Sequence, residues 1–268
     1  MPDLTRAVRA VVLPLLAVLF LAGCSRDDQG RNIDPSQVDS LTAPDDGACR
    51  RLTPADVAMP SNATRTVDCT SAHTAETFAV GDLPPAFEDA AYGDDDLGRF
   101  AYRTCSAAFQ KFLGADESLA MRTVVSWVWF RPSKPAWTKG ARWYRCDVLG
   151  GGAQTKTYVD LPATAQGLLA TRPDAWLACV DGPSVTGLKI GCDQPHTWRA
   201  VTTIKLGAAD DPYPGDRVVE SRTSDFCSDS VGAWLNYPVD YDYGYTWFKA
   251  GEWSAGNRRS ICWARTDQ

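Results

Sequence analysis

Eight cysteines spaced as two matching sets of four constrain this chain of 268 residues more than any other feature. The first set is Cys49, Cys69, Cys105 and Cys146, and the second is Cys179, Cys192, Cys227 and Cys262. Cys69 to Cys105 spans 36 residues and Cys105 to Cys146 spans 41, while Cys192 to Cys227 and Cys227 to Cys262 are both 35. The neighbours repeat as well. Cys69-Thr-Ser-Ala-His73 answers Cys192-Asp-Gln-Pro-His196, so both histidines of the chain stand four residues after the second cysteine of a set. Trp137-x-x-Gly140-x-Arg142 precedes Cys146 as Trp253-x-x-Gly256-x-Arg258 precedes Cys262, and Trp129-Phe130-Arg131 answers Trp247-Phe248-Lys249. Self-similarity at such a period means one supersecondary unit used twice.

The ninth cysteine belongs to a different signal. Arg6 and Arg9 precede an uncharged run from Ala10 to Gly23, the basic-then-apolar layout of a secretory leader and too short to span a bilayer comfortably. It ends Leu21-Ala22-Gly23-Cys24, which resembles a bacterial lipobox, with Cys24 as the lipidated residue and first residue of the mature chain. Two or more acyl chains, at about 0.8 kcal/mol per buried methylene, give stable membrane residence. The expected address is therefore the extracytoplasmic face of the plasma membrane, held by the lipid. Residues 24–46, rich in Asp, Gln, Pro and Ser, read as a flexible tether. With 27 basic and 33 acidic residues the net charge is −6, which argues against nucleic acid as a partner and against a polybasic membrane surface.

In an oxidising compartment an even cysteine set reads as disulfides, and zinc is disfavoured because no Cys-x-x-Cys occurs and only two histidines are present. Of the 105 pairings that eight cysteines allow, nine keep every bridge within its own set. The pairing Cys49–Cys69, Cys105–Cys146, Cys179–Cys192 and Cys227–Cys262 is the one chosen here, and the others stay open on sequence alone.

Leu97, Ala101, Cys105, Ala108 and Phe112 form the stripe of an amphipathic helix that Gly114 ends, and Val219, Thr223, Cys227, Val231 and Trp234 form a weaker one. β-like runs flank each helix: 77–80, 124–130 and 143–148 in the first unit, 198–204, 243–248 and 260–264 in the second. The expected fold class is α+β, two tandem disulfide-stapled units, each a small antiparallel sheet with one packed helix and the order strand, strand, helix, strand, strand. The expected boundaries are 1–23 leader, 24–46 tether, 47–149 first unit, 150–177 linker and 178–268 second unit. Within the linker, Leu161, Leu168, Leu169 and Trp176 are positioned to dock on a neighbouring unit.

Taken together, a lipobox, Val67-x-Cys69-x-x-x-His73-x-x-Glu76, a helix carrying Cys105 and Trp137-x-x-Gly140-x-Arg142 before Cys146 resemble the septum formation family of actinobacterial envelope proteins, over about residues 49–149 and again 178–266. Arg199 stands where the motif's Glu would fall in the second unit. The resemblance implies an exported, anchored protein of the cell surface with a link to division, and it implies no reaction.

Candidate binding residues are few. His73 and His196 are the side chains that titrate near neutrality, and His73 with Glu76 could form a pH-sensitive pair or a contact for a partner, although an imidazole satisfying backbone groups beside a disulfide explains the repeated position better. Asp94-Asp95-Asp96 reads as a solvated helix start. Tyr243, Tyr245 and Trp247 alternate on one strand face, as do Trp127 and Trp129, and for the shared Trp129 and Trp247 that face is expected to be core. Tyr237 and Tyr241, which have no counterpart in the first unit, are the better surface candidates, with Asp240 and Asp242 beside them. No nucleophile motif or phosphate loop occurs, so no enzyme, metal or cofactor is expected. The expected role is a non-catalytic binding or scaffold module with an envelope protein as partner; the alternative is a wall-glycan binder using residues 237–247. A glycan-cleaving enzyme would require two facing carboxylates in one pocket.

Overall fold

The computed structural model describes residues 32–266. The leader, Cys24 and the start of the expected tether lie outside them. Among the described residues no helix is long and apolar enough to cross a membrane.

The first repeat comprises α1 (Ser36–Asp39), β1 (Cys49–Arg50), α2 (Pro54–Val57), β2 (Thr66–Val67), β3 (Ala75–Asp82), α3 (Asp95–Leu113), α4 (Glu117–Met121), β4 (Ser126–Phe130), α5 (Lys134–Thr138) and β5 (Trp143–Leu149). The second comprises β6 (Ala178–Val180), β7 (Lys189–Gly191), β8 (Trp198–Lys205), α6 (Asp216–Trp234), β9 (Tyr243–Thr246), α7 (Ala250–Ala255) and β10 (Arg259–Arg265). Each builds a five-stranded antiparallel sheet, in the orders β2-β1-β3-β5-β4 and β7-β6-β8-β10-β9. The two topologies coincide strand for strand. Three strands, rather than the two expected, precede each long helix: β1, β2, β6 and β7 are only two or three residues long and leave no alternation to read. All four bridges form as chosen, Cys49–Cys69, Cys105–Cys146, Cys179–Cys192 and Cys227–Cys262. The short-loop bridges staple β1 and β6 to the chain just after β2 and β7, and the long-loop bridges pin α3 to β5 and α6 to β10.

Helix α3 begins where the Asp94 side chain accepts from the Asp96 amide at 2.8 Å and ends on left-handed Gly114, whose φ of 70° suits a residue without Cβ. Its buried face is Leu97, Ala101, Cys105, Phe109 and Leu113, a strict step of four, so Ala108 and Phe112 sit on the margin of the stripe and not at its centre. In α6 the buried residues are Val219, Thr223, Cys227, Val231 and Gly232, and Trp234, expected as core, is 47% exposed because the helix ends at that residue. A bulge recurs too. Phe78 in β3 and Val201 in β8, each nine residues after the second cysteine of its set, drop out of the ladder with the last strand. The extra residue packs beneath the helix, Phe78 against Phe109 and Phe112, Val201 against Cys227 and Val231.

The faces of the two sheets away from the long helices differ in kind. In the first repeat Arg145 and Asp147 pair at 3.1 Å with both side chains fully buried. Thr77 Oγ1 donates to Asp147 at 2.8 Å, and Arg50 donates to Thr77 Oγ1 at 2.7 Å and to Gln37 Oε1 at 2.6 Å. Burial, and after it the charge of Arg145, pull the Arg50 guanidinium down to about 10, which leaves it protonated at neutral pH. The cover over this network comes from residues that the sequence assigns to free tether. Ile33 bridges Thr64, Val38 is buried, the Ser133 amide donates to the Val38 carbonyl at 2.9 Å and Trp143 Nε1 donates to the Ser40 carbonyl at 3.0 Å. The expectation of a flexible tether up to residue 46 is therefore corrected: residues 33–46 are docked, because Arg50 and Trp143 find partners in this segment.

In the second repeat Val180, Ile261 and Trp263 stand at the places of Arg50, Arg145 and Asp147. With Ala178, Trp198 and Ala200 they make an apolar cluster on that face. Its cover is the first repeat. Arg122 donates to the Val201 carbonyl at 2.8 Å, Thr203 donates to Ser118 at 2.9 Å, and Glu117 pairs with Arg259 at 2.7 Å and with Lys205 at 3.5 Å. The linker is docked as well: Leu161, Ala165 and Leu169 are buried in the first repeat's core, and Thr123 bridges Leu177. Both repeats therefore fall within one compact unit that begins at Ile33.

Candidate functional site

The repeated histidines serve the same turn twice. His73 Nδ1 lies 2.8 Å from the Ser71 carbonyl and His196 Nδ1 lies 2.7 Å from the Gln194 carbonyl. A carbonyl only accepts, so Nδ1 carries the hydrogen and the ring closes the loop that follows the disulfide. Both rings are buried and neither Nε2 has a partner, so neither histidine is presented to a ligand. Glu76 does not pair with His73. It accepts from Thr164 Oγ1 at 2.8 Å and from the Ala165 amide at 2.6 Å, holding the linker to the first sheet. Arg199, at the matching place in the second repeat, pairs with Asp174 at the linker's other end, and that contact holds the Asp174 carboxyl below its ordinary range.

The Trp-x-x-Gly-x-Arg motif is a clip. Trp137 and Trp253 lie on α5 and α7, and Gly140 and Gly256 reverse the chain with φ of 100° and 121°. Arg142 and Arg258 fold back to stack at 4.1 and 3.7 Å on those rings. Each arginine ties down the loop ahead of the long helix, Arg142 through the Glu88 carbonyl at 2.9 Å and Arg258 through the Ala209 carbonyl at 2.7 Å. The ring nitrogens do the same, to the Ala90 and Asp211 carbonyls, both at 3.1 Å. None of these groups remains free for chemistry.

The aromatic segment divides. Tyr241, Tyr243 and Tyr245 are half-buried against Cys227, Val231 and Cys262 under α6, with Tyr243 and Tyr245 stacked at 6.4 Å and the Tyr241 hydroxyl donating to the Ser228 carbonyl at 2.8 Å. Trp127 and Trp129 pack under α3, and Trp247 packs on the Phe248 cluster, as expected of core-facing rings. Tyr237 is different. It is 62% exposed, and Val239 beside it is 98% exposed. Asn236 and Tyr237 both take positive φ, 63° and 50°, while the Tyr237 amide donates to the Gly232 carbonyl at 2.7 Å. Two successive non-glycine residues in that region cost about 1–3 kcal/mol each, and the fold holds them there to throw the chain outward after α6.

One cleft has no counterpart among the sequence expectations. A space of 390 Å³ opens beside the apolar face of the second sheet, floored by Ile261, Trp263, Trp247 and Val185 and walled by Met121 and the 152–155 loop of the first repeat and linker. Lys189 and Asn257 line it and also line an adjoining 260 Å³ recess that reaches Tyr102 and Trp127. The only signal for it in the sequence is the exchange of Arg145 and Asp147 for Ile261 and Trp263 between aligned repeats. The acids at the cleft are already engaged: Glu252 accepts from the Lys249 amide at 3.0 Å, and Glu117, in the recess, carries the ion pairs to Arg259 and Lys205. Among the described residues no group of three or more His, Cys, Asp or Glu side chains is placed to hold a metal ion.

No curated protein and no solved structure matches the chain. A family model described as septum formation matches it twice, over residues 25–131 and 125–262, so the duplication read from the cysteines is matched as two copies of one family unit.

Proposed function

The chain belongs to the septum formation family, and from that premise we propose that it is a cell-envelope lipoprotein acting as a non-catalytic scaffold at the division septum, anchored through Cys24 on the outer face of the plasma membrane. Four disulfides support an oxidising address. The observation that carries the binding role is the loop after α6. Every motif shared by the repeats is consumed in building them, whereas Tyr237 and Val239, in the loop that Asn236 and Tyr237 turn outward at positive φ, are unshared and exposed. Aromatic and aliphatic side chains that protrude in this way are anchors for a protein surface. A glycan platform of coplanar exposed rings is not favoured, because Tyr241, Tyr243 and Tyr245 lean on α6.

Cross-linking the anchored protein in living cells and identifying what co-purifies tests this reading. Division or wall-synthesis proteins are expected with the native chain. They should be lost in Cys24→Ala, which mislocalises, and in Tyr237→Ser with Val239→Ser, which stays anchored. Retention of the same proteins by the loop variant, or recovery of wall glycan alone, overturns it.

A further inference from the structure

The cleft beside the second sheet contains a cation that the fold neither neutralises nor exposes fully. Lys189 is paired in register with Val180 on β6, so its side chain leaves the sheet on the same apolar face as Val180, Trp198 and Trp263. It is half-buried, and among the described residues its side chain makes no hydrogen bond and no ion pair. The neighbouring positive charge, Arg259, is already held by Glu117 and by Thr203 at 3.1 Å. Among the described residues burial alone acts on the Lys189 ammonium and pushes it below the ordinary lysine value, with no carboxylate opposing it.

An apolar face does not place a lone ammonium beside aromatic rings for stability. Leaving such a group without a partner is unfavourable, and a methionine would fill the same space more favourably. The surroundings describe what would complete it. The half-buried Trp247, Val185 and Met121 offer apolar surface, Asn257 and Gln154 offer amide groups, and Lys189 supplies one positive charge. The volume lies in the lower part of the range of small-molecule sites, roughly 300–1,000 Å³.

We propose that this cleft binds a small monocarboxylate with an aromatic or branched apolar body, its carboxylate paired to Lys189 and its body laid on Trp247. A free organic acid and the C-terminal residue of a peptide carry the same chemistry. The site is independent of the exposed loop after α6, and its ligand is bound and released unchanged.

The test is calorimetric titration of the full chain with 3-phenylpropionate and with N-acetylphenylalanine, each beside its neutral amide. At least one acid is expected to bind about ten-fold or more tightly than its amide, and which acid does so distinguishes the free acid from the peptide terminus. Lys189→Met is expected to reduce the acid to the affinity of the amide, while Lys189→Arg retains the preference. Equal affinity of acid and amide, no binding of either pair, or an unchanged preference in Lys189→Met overturns the proposal. If Lys189→Met does not fold, the acid-against-amide comparison on the native chain decides alone. Loss of the septal partner in the loop variant leaves this result untouched, so the two readings fail separately.

Discussion

Glu76 and Arg199 occupy the same place in their repeats, seven residues after the second cysteine, and hold opposite ends of the same linker. Glu76 takes Thr164 and Ala165; Arg199 takes Asp174. A position that carries opposite charges in the two copies has kept one task, fastening the chain that joins them. The environments differ, and so should the consequences of removal. Glu76 is buried, so Glu76→Ala leaves the Ala165 amide without an acceptor and should cost about 1–3 kcal/mol in urea unfolding. The Arg199–Asp174 pair lies at the surface, and Arg199→Ala should cost less than about 1 kcal/mol. Equal losses in the two variants would contradict this assignment.

The four bridges close loops of very different length. Cys105–Cys146 spans 41 residues and Cys179–Cys192 spans 13. On the chain-entropy view these constrain the unfolded state by about 4 and about 3 kcal/mol. Replacing both cysteines of the longer bridge by serine should therefore lower the urea midpoint more than replacing both of the shorter one. The reverse order would show that native packing, and not loop length, sets their worth.

Gly140 and Gly256 end equivalent helices at positive φ, yet of the two it is Gly256 that touches the other repeat. A Cβ at Gly140 meets nothing within 4 Å, whereas one at Gly256 would lie 2.5 Å from Tyr102 Cδ1. Gly140→Ala should cost the backbone strain, about 1–3 kcal/mol. Gly256→Ala should cost that plus an overpacking penalty of about 1–3 kcal/mol. Tyr102→Ala should recover part of the loss in Gly256→Ala and none in Gly140→Ala. Thermal unfolding of these variants, single and combined, reads the difference as the contact between repeats.

Lys189 gives a pH dependence of definite sign. Its folded-state value lies below its unfolded one, so between the two the unfolded chain holds a proton that the folded chain has released, and stability rises with pH. The charged groups at the cleft and recess are Arg259, Glu252 and Glu117. Lys189→Met should be more stable than the native chain near neutrality, and that advantage should shrink as pH climbs toward the ordinary lysine value of about 10.4. Urea unfolding at a series of pH values shows it; an advantage that grows with pH would mean the ammonium has a partner.

Much of the architecture is legible because it is written twice. Spacing and the local patterns around the cysteines place the long helices and the three main strands of each sheet and confine the bridges to their own repeats, while the pairing within each repeat is settled by the structure. What escapes has no local period. Strands β1, β2, β6 and β7 are two or three residues long, and residues 33–46 dock through one buried apolar side chain, Val38, and polar contacts to Arg50 and Trp143. Arg145 and Asp147 lie in a run that reads as strand but reveals nothing of the cover that lets their charges be buried. The histidines hold backbone carbonyls, the reading that their repeated place beside the disulfides favours, whereas Glu76 spends itself on Thr164 and Ala165, 88 and 89 residues away, which no local pattern reveals. Trp234 reads as core by its seven-residue offset from Cys227, and the end of the helix leaves it outside.

The exchange of a charged, self-covered sheet face for an apolar one makes the two copies unequal in a temporal sense. The first repeat closes both faces with its own leading segment and with the linker, all of it chain that ends by Leu177, so it can mature as soon as that much is made. The second shows Trp198, Ile261 and Trp263 to water until α4 of the first lies against them. Synthesis runs from the N-terminus, so the dependent copy always emerges after its support. Reversing the order of the two copies in the gene would keep the internal contacts of each and still send the needy half out first.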